Sequence, residues 1–275
     1  MRDELLTEAV CEETRDLSRR STREIVAAIH GADRAVADAV ARTLPEIERV
    51  VDLLVLALQG GGRWFNVGAG TSGRLGVIDA AELLPTFGFP QGRVEGIIAG
   101  GPEALVRAAE GAEDDAEAAR EALRARDLMP GDAVLAISAS GRTPFALAAL
   151  EEARAVGARR LALTCDPASP IAQAAEISIA PEVGPEVITG STRMKGGLAQ
   201  KMVLHTLSTA VMVRLGRVEG NEMTNLVPSS RKLERRAVRI VCELAGVPEA
   251  CARSALAAAH GSVSGALAVL RKPDR

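Results

Sequence analysis

Aromatic side chains are scarce in this 275-residue chain: there is no Tyr, one Trp (Trp64) and four Phe. With so few rings, the surface offers no stacking platform for single-stranded nucleic acid, and the core must be closed by aliphatic residues. Net charge is also small, −3 at neutral pH, so no global field draws the chain to nucleic acid or to a membrane. No apolar run reaches the roughly 20 residues of a spanning helix, and the acidic start Met1-Arg2-Asp3-Glu4 reads as carrying no export signal. Cys11, Cys165, Cys242 and Cys251 are scattered without a C-x-x-C pair, the pattern of reduced thiols in a cytoplasmic protein. His30, His205 and His260 are far apart and lack metal-ligand spacing, so each reads as a helix-face residue and no metal is expected.

Three loops rich in small hydroxyl residues and glycine stand out against this background. They are Gly68-Ala69-Gly70-Thr71-Ser72-Gly73-Arg74, Ser138-Ala139-Ser140-Gly141-Arg142-Thr143 and Thr189-Gly190-Ser191-Thr192-Arg193-Met194-Lys195. Each carries a cation and follows an apolar, strand-like run. Glycine lets backbone N–H groups close on an anion, and a following helix adds its positive dipole end. Recurrence in one strand–loop–helix context points to a phosphorylated small molecule. Gly68-x-Gly70-x-x-Gly73 also fits the dinucleotide fingerprint, which wants an acid at the end of the second strand. Here that strand, Val94 to Ile98, runs into Ala99-Gly100-Gly101, and Thr71 and Ser72 suit a phosphate monoester better.

Along the chain, Ser21-Thr22-Arg23-Glu24 reads as a capping box opening a helix. A second helix is expected over about Ala32 to Arg42, and a third with Pro45 in its first turn, ending at Gly60-Gly61-Gly62. Strands are then expected at Arg63–Val67, Val94–Ile98, Ala133–Ile137, Arg160–Thr164 and Glu176–Ile179, alternating with Ala- and Leu-rich helices. That alternation specifies an α/β fold, a doubly wound five-stranded parallel sheet flanked by helices. A strand order 2-1-3-4-5 would set the first two loops side by side at the switch point, where ligands bind in such sheets. A long helix from Met194 to Leu215 follows, then a polar stretch and helices over Ala237–Ala245, Pro248–Ala258 and Ser262–Leu270. The expected division is an N-terminal helical segment 1–62, a sugar-phosphate-binding domain 63–228 and a small three-helix module 229–275.

Carboxylates lie near the first two loops in sequence. Glu82 follows Asp79 by three residues on a helix that Pro85 is expected to stop, and spacing slightly favours a solvated face. The run Glu110-Gly111-Ala112-Glu113-Asp114-Asp115 reads as a turn whose acids favour the next helix dipole. A pair of carboxylates beside a phosphate cradle could also form an acid/base pair; spacing leaves that open.

Together the segments Gly68–Gly76, Glu110–Asp115, Ser138–Pro144 and Val183-Gly-Pro-Glu-Val-Ile-Thr-Gly-Ser-Thr-Arg-Met-Lys195 closely resemble the N-acetylmuramic acid 6-phosphate etherase family of the sugar isomerase (SIS) domain superfamily. The resemblance runs from about Ser21 to the C-terminal helices. It implies an SIS fold and a bacterial cytoplasmic lyase of cell-wall sugar recycling, a homodimer that needs no metal or organic cofactor. By the family's pattern Glu82 and Glu113 match the catalytic carboxylates, Glu113 as base and Glu82 as acid. Gly70, Thr71, Ser72, Ser138, Ser140, Arg142, Thr143, Glu186, Ser191 and Lys195 match its substrate-binding segments. The chain departs from the usual pattern at Leu83-Leu84-Pro85, at Gly196-Gly197-Leu198 and at His205. The rival reading is a non-catalytic sugar-phosphate sensor of the glucokinase-regulator type, which carries two SIS domains where one set of loops occurs here. An aldose–ketose isomerase is the nearest enzymatic rival. A nucleic-acid-binding regulator would need a basic helix-turn-helix, which Met1–Gly62 does not show.

Overall fold

A computed structural model describes residues 7–228 and 230–271. The acidic start Met1-Arg2-Asp3-Glu4 and Ser229, the expected first residue of the C-terminal module, lie outside the described residues. Strands β1 (Trp64–Gly68), β2 (Val94–Ile98), β3 (Ala133–Ile137), β4 (Arg159–Leu163) and β5 (Ile177–Ile179) form one parallel sheet in the order β2-β1-β3-β4-β5. This is the expected doubly wound topology, with its switch point between β1 and β3. Gly68 at the end of β1 stands in register with Ile98 on one side and Ile137 on the other.

Both faces of the sheet are covered, which is why its strands read as unbroken apolar runs. Phe65 and Val67 of β1, with Val134 and Ala136 of β3, enter a core shared with α4 (Ala116–Arg124) and α5 (Pro144–Val156). α5 presents Ala146, Ala149 and Ala153, all buried, so the helix lies close to the sheet in a core with few rings. Trp64, Leu135, Ile137, Leu161 and Leu163 are also fully buried; on the alternate face of the sheet, α2 (Leu44–Gln59) packs against β1 and β5.

Two local expectations change. α1 runs without a break over Thr22–Ala41, capped as expected by Ser21 and Glu24. Gly31 does not divide it, because a single glycine costs a helix only about 1 kcal/mol relative to Ala. α3 spans Gly70–Phe87 and passes through Pro85. The proline lacks an N–H, which removes only the bond to the Ala81 carbonyl. The helix closes past it, with the N–H groups of Gly88 and Phe89 donating to the carbonyls of Leu84 and Leu83.

The chain divides into two compact units. The first comprises Met1–Ala80 and Val94–Ser208 and holds the sheet; the second comprises Ala81–Arg93 and Thr209–Arg275. α3 and α7 (Lys195–Arg214) each run from the first into the second. In the second unit α8 (Arg231–Ala245), α9 (Glu249–Ala258) and α10 (Val263–Leu270) enclose their own core of Val238, Ile240, Val241, Leu256, Val263 and Leu267. α8 starts six residues before the expected Ala237, because the Ser230 hydroxyl caps it at Leu233 N–H and its first turns are too polar to show an apolar period. This unit also takes in the tail of α3 and the turn beyond it, which the segments 1–62, 63–228 and 229–275 place elsewhere.

Candidate active site

The Gly68 and Ser138 loops leave neighbouring strands and open α3 and α5. Gly73 must be glycine for the first turn to close on the strand end: a Cβ there would stand 2.6 Å from the Gly68 carbonyl oxygen. In the second loop Gly141 takes φ +67°, and a Cβ would meet Ser169 Oγ at 2.1 Å. Ser138 is buried and its hydroxyl organises this loop, accepting from Gly141 N–H at 3.0 Å and sharing a hydrogen bond of 2.8 Å with Thr143 Oγ1. Ser140 and Thr143 stay half-buried at the start of α5, whose dipole favours an anion there. Arg142 is exposed, and its N–H donates to Ser140 Oγ.

The third loop meets the other two through the first turns of α7. A Cβ on Gly197 would lie 3.3 Å from Thr71 Cγ2, and one on Gly196 would lie 3.2 Å from Ala139 Cβ. Ser72 Oγ donates to Gln200 Oε1 at 3.0 Å. The structure thus brings Gly70, Thr71, Ser72, Ser138, Ser140, Thr143 and the start of α7 together. Gln200, buried on α7, escaped the motif reading; its one signal is a lone amide beside Lys201 in the otherwise apolar stretch Leu198–Leu204.

Glu186 plays a different part from a ligand contact. It is buried, and its two carboxylate oxygens accept from the N–H groups of Lys195 at 3.0 Å and Gly196 at 2.9 Å. The chain's own carboxylate therefore fills the N-terminus of α7. Lys195 Nζ donates to the Val183 carbonyl at 2.6 Å. Ser191 N–H donates to Ile188 O, folding the Thr189 loop back on itself. Of the three anion-binding helix starts expected, two remain for a ligand.

The acidic run divides by role. Asp115 caps α4, its side chain accepting from Ala118 N–H at 2.9 Å, as the dipole reading expects. Glu113 is exposed on a one-turn 3₁₀ segment, Ala112–Asp114, and lines a cavity of about 130 Å³ with Gly70, Arg74 and Glu110. Arg74 anchors the segment before it, donating through Nε to the carbonyl of Leu105 and through Nη2 to that of Arg107, each at 3.2 Å. Glu82 is exposed on the part of α3 that belongs to the second unit.

His30 and His205 are exposed on α1 and α7, while His260 sits past the end of α9 with φ +51° rather than on a helix face. Among the described residues no cluster of three or more His, Cys, Asp or Glu could hold a metal ion, and no helix is long and apolar enough to cross a membrane.

Residues 46–154 match the family described as the glucokinase regulatory protein N-terminal SIS domain, and residues 115–210 match the SIS domain family. An N-acetylmuramic acid 6-phosphate etherase of Symbiobacterium thermophilum is 52% identical over 266 residues, covering 97% of this chain and 88% of that protein. The chain belongs to the N-acetylmuramic acid 6-phosphate etherase family. A second etherase, from Erwinia tasmaniensis, is 48% identical over 97% of this chain and 87% of its own length. The fold recurs in the Vibrio vulnificus NanR protein complexed with ManNAc-6P, with a TM-score of 0.51 and 19% identity over 74% of this chain and 66% of that one. The chain thus has an SIS fold built on the five-stranded sheet described above.

Proposed function

We propose that this chain is a carbon–oxygen lyase that cleaves the D-lactyl ether of N-acetylmuramic acid 6-phosphate, giving N-acetylglucosamine 6-phosphate and D-lactate in cell-wall sugar recycling. The observation that carries the reading is membership of the etherase family over 97% of the chain. The geometry supports the phosphate end: hydroxyls of Ser72, Ser140 and Thr143 stand at two helix starts with Gly70, Thr71 and Arg142 on the same loops, and Ser191 and Lys195 are assigned to the substrate by the family resemblance. Ser138 shapes the second loop and Glu186 sets the start of α7, so Glu186 serves the substrate through that helix.

The ether at C3 is a poor leaving group. Opening the sugar ring exposes an aldehyde at C1, which acidifies the C2 proton. Glu113 takes that proton; the C3–O bond breaks as Glu82 delivers a proton to the lactate oxygen. Water then adds at C3 of the enal and a proton returns to C2. Ring opening, elimination and addition of water proceed without net redox change, so the chain's own acid and base are sufficient and no cofactor is assigned. The roles of the two glutamates rest on the family resemblance. We place the enzyme in the cytoplasm as a homodimer, on the same ground.

Purified protein incubated with N-acetylmuramic acid 6-phosphate should release D-lactate with repeated turnover. Tight binding of unchanged substrate would sink the enzymatic reading in favour of a sugar-phosphate sensor.

A further inference from the structure

The cavity beside Glu113 has a distinctive wall. Six of its eleven lining residues are alanines, among them Ala99, Ala104, Ala108 and Ala112, two are glycines, and the charged members are Arg74, Glu110 and Glu113. Arg74 is therefore its one cation. A guanidinium has five N–H donors; Arg74 commits two side-chain nitrogens to the carbonyls of Leu105 and Arg107. No carboxylate among the described residues pairs with it. It is thus held at a fixed place with donors to spare. The cavity, about 130 Å³ and open to solvent, has room for a three-carbon acid.

We propose that this cavity is the lactyl subsite, in which Arg74 holds the lactyl carboxylate and the alanine wall receives the lactyl methyl. The inference rests on the etherase reading. There Glu113 removes the proton at C2, and the lactyl ether hangs from the adjacent carbon, so the group must lie beside Glu113. Glu110 and Glu113 would repel an incoming carboxylate. A cation facing the same space offsets that repulsion, and a guanidinium meets a carboxylate through two parallel hydrogen bonds. The phosphate has its own hydroxyl-lined place at the start of α5, so Arg74 is not required there.

The test compares the lactyl carboxylate with its neutral primary amide, built on the same sugar phosphate. The wild-type chain should prefer the acid by about 10- to 100-fold in kcat/KM, the size of a hydrogen bond to a charged group. Arg74→Met should abolish that preference while binding N-acetylglucosamine 6-phosphate, which has no lactyl group, within twofold of wild type. Arg74→Lys should restore part of the preference. If the Met variant does not fold, the Lys variant carries the comparison, and a wild-type preference near one overturns the proposal without any variant. An Arg74→Met chain that slows acid and amide equally would make Arg74 only a strut for the Leu105–Arg107 segment. Lost affinity for N-acetylglucosamine 6-phosphate would make it a phosphate ligand. Either result overturns the lactyl assignment while D-lactate release by the wild type persists, whereas a wild type that releases none removes the etherase reading itself.

Discussion

Glu186 is 2% exposed, and both of its oxygens are engaged by backbone N–H groups at the start of α7. Cys165 lies close enough to feel that charge: burial pushes its thiol up to about 12, and the Glu186 carboxylate adds to the rise. A thiol with so high a pKa stays protonated through the physiological range, and thiolate is the reactive form. At pH 8 a thiol reagent should therefore modify exposed Cys251 and leave Cys165 intact in the folded protein; mass-mapped labelling of Cys165 before unfolding would contradict the structure. Ser140 tests the phosphate reading. Its hydroxyl accepts from Arg142 N–H at 3.3 Å and shares a long contact of 3.4 Å with Ser138 Oγ, so Ser140→Ala should leave the melting temperature nearly unchanged. It should weaken sugar-phosphate binding by about 1.5–3 kcal/mol, the cost of losing a hydrogen bond to a charged group; an unchanged KM would count against it. For Glu82→Gln and Glu113→Gln the expectation is normal folding with activity down by about 10²–10⁴-fold. Turnover in ¹⁸O-water should label the sugar at C3 and leave lactate unlabelled, and D₂O should place deuterium at C2. Label in the lactate, or none at C2, rules out elimination and the roles of both glutamates.

Among the elements, β1 and β3 are tied at the end of the sheet away from the ligand loops. Asp132 is fully buried; it accepts from Arg63 N–H at 2.8 Å and Met129 N–H at 2.9 Å, and its carboxylate pairs with the Arg63 guanidinium at 2.7 Å. Removing one partner of such a pair leaves the other's polar groups stranded. Asp132→Ala should cost about 3–5 kcal/mol of stability, read by denaturant unfolding, with kcat unchanged wherever the variant remains folded. A drop in kcat without loss of stability would mean the strand bases are coupled to the site. The element boundaries also show where sequence pattern carries information. The α1 capping box is a local chemical signature, and it appears where Ser21 and Glu24 placed it. Pro85 is an equally local signal that misleads, since the burial of Leu83, Phe87 and Phe89 outweighs the single missing hydrogen bond.

For the molecule as a whole, pairing of two copies is the open quantity. An uncovered apolar face on the long helix near the C-terminal side of the sheet would be one reason to expect it, and α7 does not supply that reason. Ala199, Val203, Leu204, Leu207, Val211 and Met212 are already buried within the chain. α7 leaves Leu198 at 37% and Val213 at 46% exposed, and other exposed apolar side chains include Val106 at 78%, Leu56 at 70%, Val26 at 60% and Ile78 at 49%. Exposed apolar residues as such are normal on a monomer. The homodimer therefore rests on the family resemblance. Multi-angle light scattering at micromolar concentration should give twice the 28.7 kDa chain mass; a monomer would remove the dimer.

The sequence by itself determined the strands and the doubly wound parallel sheet, and it singled out three candidate ligand loops. It could do so because β-runs, glycine turns and helix caps are written in neighbouring residues. Through the family's motif it also singled out Glu113, which the fold sets on the 3₁₀ segment Ala112–Asp114, lining a cavity with Arg74 and Glu110. Only the tertiary structure decided which of those residues are already engaged by other parts of the chain. Glu186 spends its charge on N–H groups nine and ten positions on, Ser72 is held by Gln200 across 128 residues, and Arg74 reaches carbonyls 31 and 33 residues away. Such partners share no spacing rule. They meet because β2, β1 and β3 are neighbours in the sheet and the start of α7 packs against the loops after β1 and β3, and a buried carboxylate must find its hydrogen bonds wherever the fold provides them.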